Sequence, residues 1–263
     1  MPPRKPKLLP MHADSPLWPQ VDERARSEVA ARRPKAADVS RAAAIYERLA
    51  EEFPGAFCAL NFRNPFELLC ATILSAQCTD ERVNMTTPEL FRRYPTPEAM
   101  MAAGEGELEE VIRSTGFFNS KARALREASR TLVEEFGGEV PMTIPELLKL
   151  RGTARKTANV VRMHAFHLPG ISVDTHYGRI TARLGLTKAT DPEKIEFDTA
   201  ALLPPERWTH FADAVILHGR KTCQARAPKC EACRLAELCP SAGKVDREKE
   251  RAKRGPKSAR KRD

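Results

Sequence analysis

The chain has 263 residues, enough for one large or two modest domains with a sizeable core. No apolar run approaches the roughly 18–20 residues that cross a bilayer, which argues against a membrane protein. The first twenty residues lack the apolar segment of a secretory signal and carry acids and prolines. We therefore expect an intracellular protein in a reducing compartment.

The net charge of +9 is concentrated at the two ends of the chain. Residues 1–37 carry a net charge of +4 and residues 244–263 one of +6, which leaves −1 for residues 38–243. Both end segments are low in apolar residues and rich in Pro, Lys and Arg, so we predict that they are disordered basic tails. Their charge serves either solubility or non-specific attraction to phosphate backbones.

The segment between the tails is predicted to be all-α. Apolar residues recur at three- and four-residue spacing over 38–53 and 119–136, and no alternating strand pattern persists. Asp38 is a candidate cap for the first of these helices. A third helix is predicted within 64–80, which reads NPFELLCATILSAQCTD, an apolar stretch with a polar end that includes Gln77.

The segment 141–166 reads as two helices joined by a tight turn at Gly152. Thr143 is a candidate cap for the first helix. The second helix would begin with Arg155 and Lys156, beside unpaired backbone N–H groups that favour a phosphate. The simplest alternative is an ordinary helical corner with an exposed lysine.

Asp174 follows a Pro-Gly break and precedes another apolar periodic stretch, in the sequence Val-Asp-Thr-His. This position suits a helix N-cap, and a cap alone would explain the residue.

Four cysteines form the pattern C-x6-C-x2-C-x5-C within seventeen residues. Such a compact set of thiolates can hold a [4Fe–4S] cluster. A zinc site is less favoured, because only one CxxC pair occurs, and disulfides do not suit a reducing compartment. The predicted ligands are Cys223, Cys230, Cys233 and Cys239, whereas Cys58, Cys70 and Cys78 are expected to be packed thiols.

The chain resembles the endonuclease III family of DNA glycosylases in five motifs, which follow the family's order over residues 38–240. They are the segment 64–80, the loop GFFNSKA at residues 116–122, the hairpin, the Val-Asp-Thr-His stretch and the cysteine set. The resemblance implies a two-domain helix-hairpin-helix DNA glycosylase fold. One domain, residues 58–168, would be a six-helix bundle that contains the hairpin. The other, a [4Fe–4S] cluster domain, would combine residues 38–57 and 169–243, so that Lys156 and Asp174 face each other across a cleft.

The resemblance also implies an activity. In that family the hairpin lysine is the nucleophile and the aspartate of the V-D-T-H stretch is catalytic, which assigns these roles to Lys156 and Asp174. The expected enzyme is a bifunctional DNA glycosylase and AP lyase of base excision repair. It would remove oxidised pyrimidines from duplex DNA through a lysine Schiff base and nick 3′ to the abasic site by β-elimination.

Further residues acquire roles from the same resemblance. Gln77 would fill the gap left by the flipped nucleotide, and Phe117, in the loop GFFNSKA, would be a second wedge, although two adjacent phenylalanines also suit a core. The other expected DNA contacts are Arg151, Gly152, Ala154, Arg155 and His176. The cluster would be structural and would hold basic residues against the DNA backbone, namely Arg220, Lys221, Arg226 and Lys229.

The chain departs from the family hairpin, which normally reads L-P-G-V-G-R-K-T-A. Arg151 replaces the proline, Thr153 replaces a branched aliphatic residue and Ala154 replaces the second glycine. A left-handed backbone at Ala154 would cost about 1 kcal/mol or more relative to glycine. Arg151 offers a compensating phosphate contact.

Three alternatives belong to other classes. An adenine glycosylase of the same fold needs an acid where Ile73 stands and usually lacks the hairpin lysine. A non-catalytic or weakly active DNA-binding scaffold and a zinc-binding helical protein are the others. The favoured interpretation predicts damaged or abasic duplex DNA as partner, no membrane, and a monomer located in the bacterial cytoplasm with the nucleoid or in a eukaryotic nucleus.

Overall fold

The structure is a computed structural model, and it describes residues 10–245. Thirteen α-helices occur in this range. They are, in chain order, α1 (Pro10–Ala13), α2 (Glu23–Ala31), α3 (Ala36–Glu52), α4 (Pro65–Leu74), α5 (Asp80–Arg93), α6 (Pro97–Met101), α7 (Glu107–Ile112), α8 (Phe118–Phe136), α9 (Ile144–Leu147), α10 (Arg155–Ala165), α11 (Thr175–Arg183), α12 (Pro192–Ala200) and α13 (Pro205–Lys221). Residues 10–245 contain no β-strand, so the all-α prediction is confirmed. None of these helices is long and apolar enough to span a membrane.

The described chain divides into two compact units. The first comprises residues 10–31, 57–172 and 204–209, and the second comprises 32–56, 173–203 and 210–245. The first unit therefore contains the hairpin, and the second contains Asp174 and the four clustered cysteines.

Helix α4 forms the centre of the first unit. Every residue from Phe66 to Leu74 is buried, and α5, α8 and α10 pack around the helix. The Asn64 side chain caps it by accepting a hydrogen bond from the Glu67 N–H at 2.9 Å. Glu67 is itself buried, and its carboxylate is satisfied by the backbone N–H and guanidinium of Arg63. The predicted buried helix over this segment is confirmed.

The core of the second unit lies between α3, α11, α12 and α13. Ile45 and Leu49 of α3 are fully buried, as is Phe211 of α13. Tyr177 of α11 packs edge-on against Phe211 and donates its hydroxyl to Thr199 Oγ1 at 2.9 Å. Burial raises the pKa of Tyr177, so this hydroxyl stays protonated and keeps its hydrogen bond.

The prediction of a disordered tail over residues 1–37 is wrong for residues 10–37. Val21 and Val29 are buried, and the chain's two tryptophans, Trp18 and Trp208, meet edge to face at 6.4 Å. Composition favoured disorder because charge and proline dominate the segment, but a few apolar side chains at helical spacing suffice to dock it. Residues 1–9 and most of the C-terminal basic segment, residues 246–263, lie outside the described part of the chain.

Helix α3 begins earlier than its predicted cap. Its N-cap is Lys35, which makes no side-chain capping bond, so the assignment of Asp38 as the cap is wrong. Asp38 instead lies in the first turn, where a carboxylate interacts favourably with the helix dipole, and it pairs with Arg41 at 3.5 Å.

Candidate active site

The predicted hairpin is present in the first unit, as α9, a tight turn and α10. Thr143 caps α9 by accepting from the Glu146 N–H, as predicted. Gly152 turns the chain with a φ of +85°. A Cβ placed on Gly152 would lie 3.1 Å from the Ala124 Cβ and 3.4 Å from the Ile73 Cγ2. Both its backbone conformation and its close contact with α4 and α8 therefore require glycine.

Ala154 does not adopt the left-handed conformation that would make alanine costly. It is the N-cap of α10, with φ −96° and ψ 172°, which any L-residue adopts easily. Its side chain cannot cap the helix, and α10 has no acidic residue in its first turn. The first backbone N–H groups of α10 therefore receive no hydrogen bond acceptor from the N-cap side chain or from an acidic residue in that turn. A bound anion could accept hydrogen bonds from these groups.

This geometry yields a prediction for the two turn positions. Gly152→Ala should lower the free energy of unfolding by about 1–2 kcal/mol, because a Cβ at positive φ is strained and has no room. Ala154→Gly should change it by less than about 0.5 kcal/mol, since Ala154 is exposed and extended. Urea unfolding of both variants measures the difference, and equal losses would show that the turn is not fixed at Gly152.

Arg151 is anchored to helix α8. It forms an ion pair with Glu127 at 2.8 Å, and Glu127 also accepts from Arg123 Nε at 2.8 Å. Hydrogen bonds from Arg123 and then Arg151 hold the pKa of Glu127 below its ordinary value. A phosphate contact by Arg151 would therefore have to compete with Glu127, although half of its side chain is exposed.

Lys156 is exposed as the second residue of α10. Its neighbour Arg155 is mostly buried and pairs with Asp22 at 3.7 Å. Asp22 belongs to the N-terminal segment, which also accepts a hydrogen bond from Arg162 at the Gln20 carbonyl. The two arginines of α10 thus hold the N-terminal segment, whereas the lysine is left facing solvent.

Two exposed side chains lie in loops with strained backbone in the first unit. Gln77 follows α4 with a φ of 53°, and Phe117 precedes α8 with a φ of 48°. Non-glycine residues in this region cost of order 1–3 kcal/mol and occur preferentially at functional sites. Phe117 is 66% exposed, which excludes the alternative that it is a core residue. Phe118 instead packs against the core and under the Arg113 guanidinium.

Asp174 begins α11 in the second unit. Its Oδ1 accepts from the Tyr177 N–H at 2.7 Å, so the predicted N-cap is present. His176 Nδ1 lies 3.2 Å from Arg179 Nη2, and Arg179 donates to the carbonyls of Gly219 and Cys223. The start of α11 is thereby tied to the end of α13 and to the first clustered cysteine.

The four predicted cysteine ligands line one cavity in the second unit, together with Ile180, Leu184 and Leu235. Arg183 Nη1 lies 3.3 Å from Cys223 Sγ, and His218 Nε2 lies 3.7 Å from Cys233 Sγ. Burial raises the pKa of Cys233 and of Cys239, and the neighbouring thiols raise both further. Because the cavity disfavours the thiolate form, four thiolates would be stable here only with a cation between them. This requirement fits a centre in which cysteine thiolates bind iron. Among residues 10–245, no three His, Cys, Asp or Glu side chains converge on a point where they could hold one metal ion. A [4Fe–4S] cluster instead binds each thiolate to a different iron, so it needs thiols around a shared cavity, as the four cysteines are here.

Comparison with known proteins places the chain in a family. The family model of the HhH-GPD superfamily base excision DNA repair proteins matches residues 70–205. A Synechocystis protein described as Endonuclease III is 54% identical over 211 residues, which cover 80% of this chain and 96% of that protein. The chain belongs to the endonuclease III family. The predicted class, a DNA glycosylase and AP lyase of base excision repair, is confirmed by this membership.

Solved structures of the endonuclease III family share the fold. One is a non-covalent Endonuclease III–DNA complex, and another is a trapped Endonuclease III–DNA covalent intermediate. Each is 40% identical to this chain, has a TM-score of 0.75, and covers 81% of this chain and 98% of its own. The predicted helix-hairpin-helix glycosylase fold is thereby confirmed.

Sequence reasoning missed several residues that position the endonuclease III motifs in this chain. No local pattern indicates that Asp22 pairs with Arg155 or that Trp208 packs against Trp18. Arg162 offered a signal, because it lies one helical turn after the buried Ala158, on the apolar face of α10. It is 3% exposed, and a charged residue on a buried face implies a partner elsewhere in the chain.

Proposed function

We propose that this chain is a bifunctional DNA glycosylase and AP lyase that acts on oxidised pyrimidines and abasic sites in duplex DNA. The exposed Lys156 at the start of α10 carries the proposal, because a reactive amine must reach a sugar beside bound phosphates. The similarity to a trapped Endonuclease III–DNA covalent intermediate supports a covalent route.

The proposed chemistry begins with the amine. Lys156 Nζ, in its neutral form, forms a bond to C1′ of the deoxyribose while the bond from C1′ to the damaged base breaks. The base leaves with the bonding electron pair and takes up a proton, and the amine loses one. Ring opening then gives an imine. Removal of a C2′ proton expels the 3′ phosphate, which nicks the strand, and water finally hydrolyses the imine.

Asp174 is proposed to act at the same sugar. Its Oδ1 is used as the cap of α11, which leaves Oδ2 to stabilise positive charge on the sugar or to take the proton of the attacking amine. Substitutions of Asp174 can therefore distinguish its role as the cap of α11 from its proposed role in catalysis.

We expect Asp174→Asn to keep the helix cap but to lower the single-turnover rate of base release by about 10² or more, because asparagine caps equally well but carries no charge. Asp174→Ala should lose the cap as well and about 1 kcal/mol of stability. Rapid-quench assays and thermal melts separate the two effects. An Asn variant with wild-type rate would leave Asp174 as a cap only.

The proposed DNA contacts divide into positioning and insertion. Gly152, Ala154 and the N–H groups at the start of α10 would bind a phosphate, with Arg151 and Arg155 as flanking cations. His176, in the second unit, is proposed as a further DNA contact. Gln77 would fill the space of the flipped nucleotide, and Phe117 would stack between neighbouring bases. The exposure and left-handed backbone of both insertion residues support this assignment. We propose that the enzyme works as a monomer in the compartment that holds the DNA.

The four clustered cysteines are proposed to hold a [4Fe–4S] cluster. The cluster would cross-link residues 223–239 and so fix this loop and the adjoining end of α13, which together carry four exposed basic residues toward DNA. Those residues are Arg220, Lys221, Arg226 and Lys229.

The purified protein should contain about four iron atoms per chain, and Cys233→Ser should lose iron and stability together. Zinc at one ion per chain would contradict the cluster.

Borohydride trapping tests the proposed function. The protein is incubated with a duplex that carries one oxidised pyrimidine and, separately, with an abasic-site duplex. A covalent adduct on both is the expected result. An adduct on the abasic site alone would refute removal of oxidised pyrimidines but keep the lyase, and no adduct on either would indicate a non-catalytic scaffold.

A further inference from the structure

Lys121 is a buried cation in the first turn of α8. Its side chain is 5% exposed, although lysine is among the residues least often buried. Nζ donates to the Leu74 carbonyl at 2.8 Å and to the Thr115 carbonyl at 2.7 Å. These acceptors lie 47 and 6 residues away along the chain, so one ammonium joins two separate segments.

Both carbonyls end helical segments. Leu74 is the last residue of α4, and Thr115 ends the 3₁₀ segment Arg113–Thr115. Carbonyls at helix C-termini lack intrahelical partners and carry partial negative charge. The Lys121 ammonium therefore caps two helix ends at once and fixes the distance between them.

Each capped end leads directly to a candidate insertion residue. Gln77 comes three residues after Leu74, and Phe117 comes two residues after Thr115. Both insertion residues are exposed and have a positive φ, a conformation that costs free energy for a non-glycine residue. The surrounding structure must therefore hold each loop in this conformation. The anchor of both loops is the same side chain.

The burial of Lys121 carries a free-energy cost that its two hydrogen bonds must offset. Its two acceptors are neutral carbonyls rather than carboxylates, and an ammonium out of water without an anion is costly. Burial lowers the pKa of Lys121, which reflects that cost, and Cys78 opposes the shift. An apolar side chain of similar length would avoid this desolvation but would leave the Leu74 and Thr115 carbonyls without their donor. What the lysine supplies is therefore a joint between two helix ends.

We propose that Lys121 is a positioning residue that sets the spacing of Gln77 and Phe117, so that both enter the duplex together around one flipped nucleotide. The inference rests on the proposed function, because it assumes that these two side chains open the duplex. It adds a residue that touches no DNA itself but determines whether insertion succeeds.

The test is a double-mutant cycle with a DNA probe. Lys121→Met removes the donors while keeping the length of the side chain, and it is made in the wild-type chain and in a Gln77→Ala/Phe117→Ala chain. A duplex with one oxidised pyrimidine carries 2-aminopurine on the opposite strand, and its fluorescence rises when neighbouring bases unstack. A single-stranded abasic substrate, which needs no duplex opening, is the matched control.

In the wild-type background, Lys121→Met should slow base release from the duplex by about 10–100-fold and abolish the fluorescence rise, because insertion is no longer concerted. In the Gln77→Ala/Phe117→Ala background, Lys121→Met should slow base release by less than about threefold. The rate of single-stranded abasic cleavage should be nearly unchanged. A purely structural lysine would instead lower every rate by the same factor in both backgrounds.

Several results would overturn the proposal. These are an unchanged fluorescence rise in the Lys121→Met protein, equal losses in both backgrounds, or loss of folding in both Lys121→Met and Lys121→Gln, which would assign the residue to stability alone. A wild-type protein that unstacks the probe but forms no imine would refute the proposed chemistry, and the fluorescence measurement would still decide the role of Lys121.

Discussion

The Lys156→Ala protein is expected to bind lesion DNA but to form no borohydride adduct, and its rate of base release should fall by at least about 10³-fold. The side chain is exposed at the second position of α10, so no packing is lost. Alanine is also a better helix former than lysine, and the free energy of unfolding should therefore change by less than about 0.5 kcal/mol. Single-turnover kinetics and urea unfolding measure the two quantities.

Lys149→Ala is the matched control for that experiment. Lys149 lies just before the same hairpin turn, is half exposed and pairs with Glu135 at 3.1 Å across the surface. Its loss should leave adduct formation at the wild-type level, since a surface ion pair contributes little. Persistent trapping in Lys156→Ala would identify another nucleophile, and equal loss of activity in both variants would show that only positive charge matters.

Deletion of residues 1–31 should lower the free energy of unfolding by about 3 kcal/mol, or the melting temperature by about 6–12 °C. The deletion removes the buried Val21 and Val29 and uncovers Trp208, which is 2% exposed. It also leaves the buried Arg162 guanidinium without the Gln20 carbonyl. These losses outweigh the conformational entropy that the freed chain end would regain.

Deletion of residues 1–9 alone is the control, because it removes three basic residues but keeps Trp18, Gln20, Asp22 and the buried valines. Its melting temperature should match the full chain. If the basic ends attract DNA, this deletion, combined with removal of residues 246–263, should weaken binding and reduce its salt dependence. If the protein that lacks residues 1–31 melted at the same temperature as the full chain, the N-terminal helices would be dispensable to the fold.

Arg155 adds a functional consequence to that deletion. Its ion pair with Asp22 at 3.7 Å is nearly buried, with both side chains 12% exposed. Without the N-terminal segment, the Arg155 guanidinium would lose its ion pair with Asp22, so the positive charge beside the proposed nucleophile Lys156 would be less neutralised. The truncated protein should therefore bind DNA with a different salt dependence even at temperatures where it remains folded.

The sequence by itself determined the helical class, the caps at Thr143 and Asp174, the cysteine set and the nucleophile candidate. Each of these depends on residues close together in the chain. A cap needs one side chain and an N–H three residues on, and an amphipathic helix needs only its own spacing. The compact cysteine pattern likewise brings its four thiols to one cavity through a short loop.

Only the tertiary structure decided the features that join distant segments. The sequence could not show that Gly152, and not Ala154, has the left-handed backbone. It also could not show that Ala124 and Ile73, distant in the chain, leave little room for a Cβ at Gly152. Trp18 docks on Trp208 although the local composition favours disorder, and Lys121 finds its carbonyls 47 and 6 residues away. Local patterns specify where helices form. Contacts between residues far apart in the chain stabilise the fold only after the helices have packed, so no local pattern reveals them.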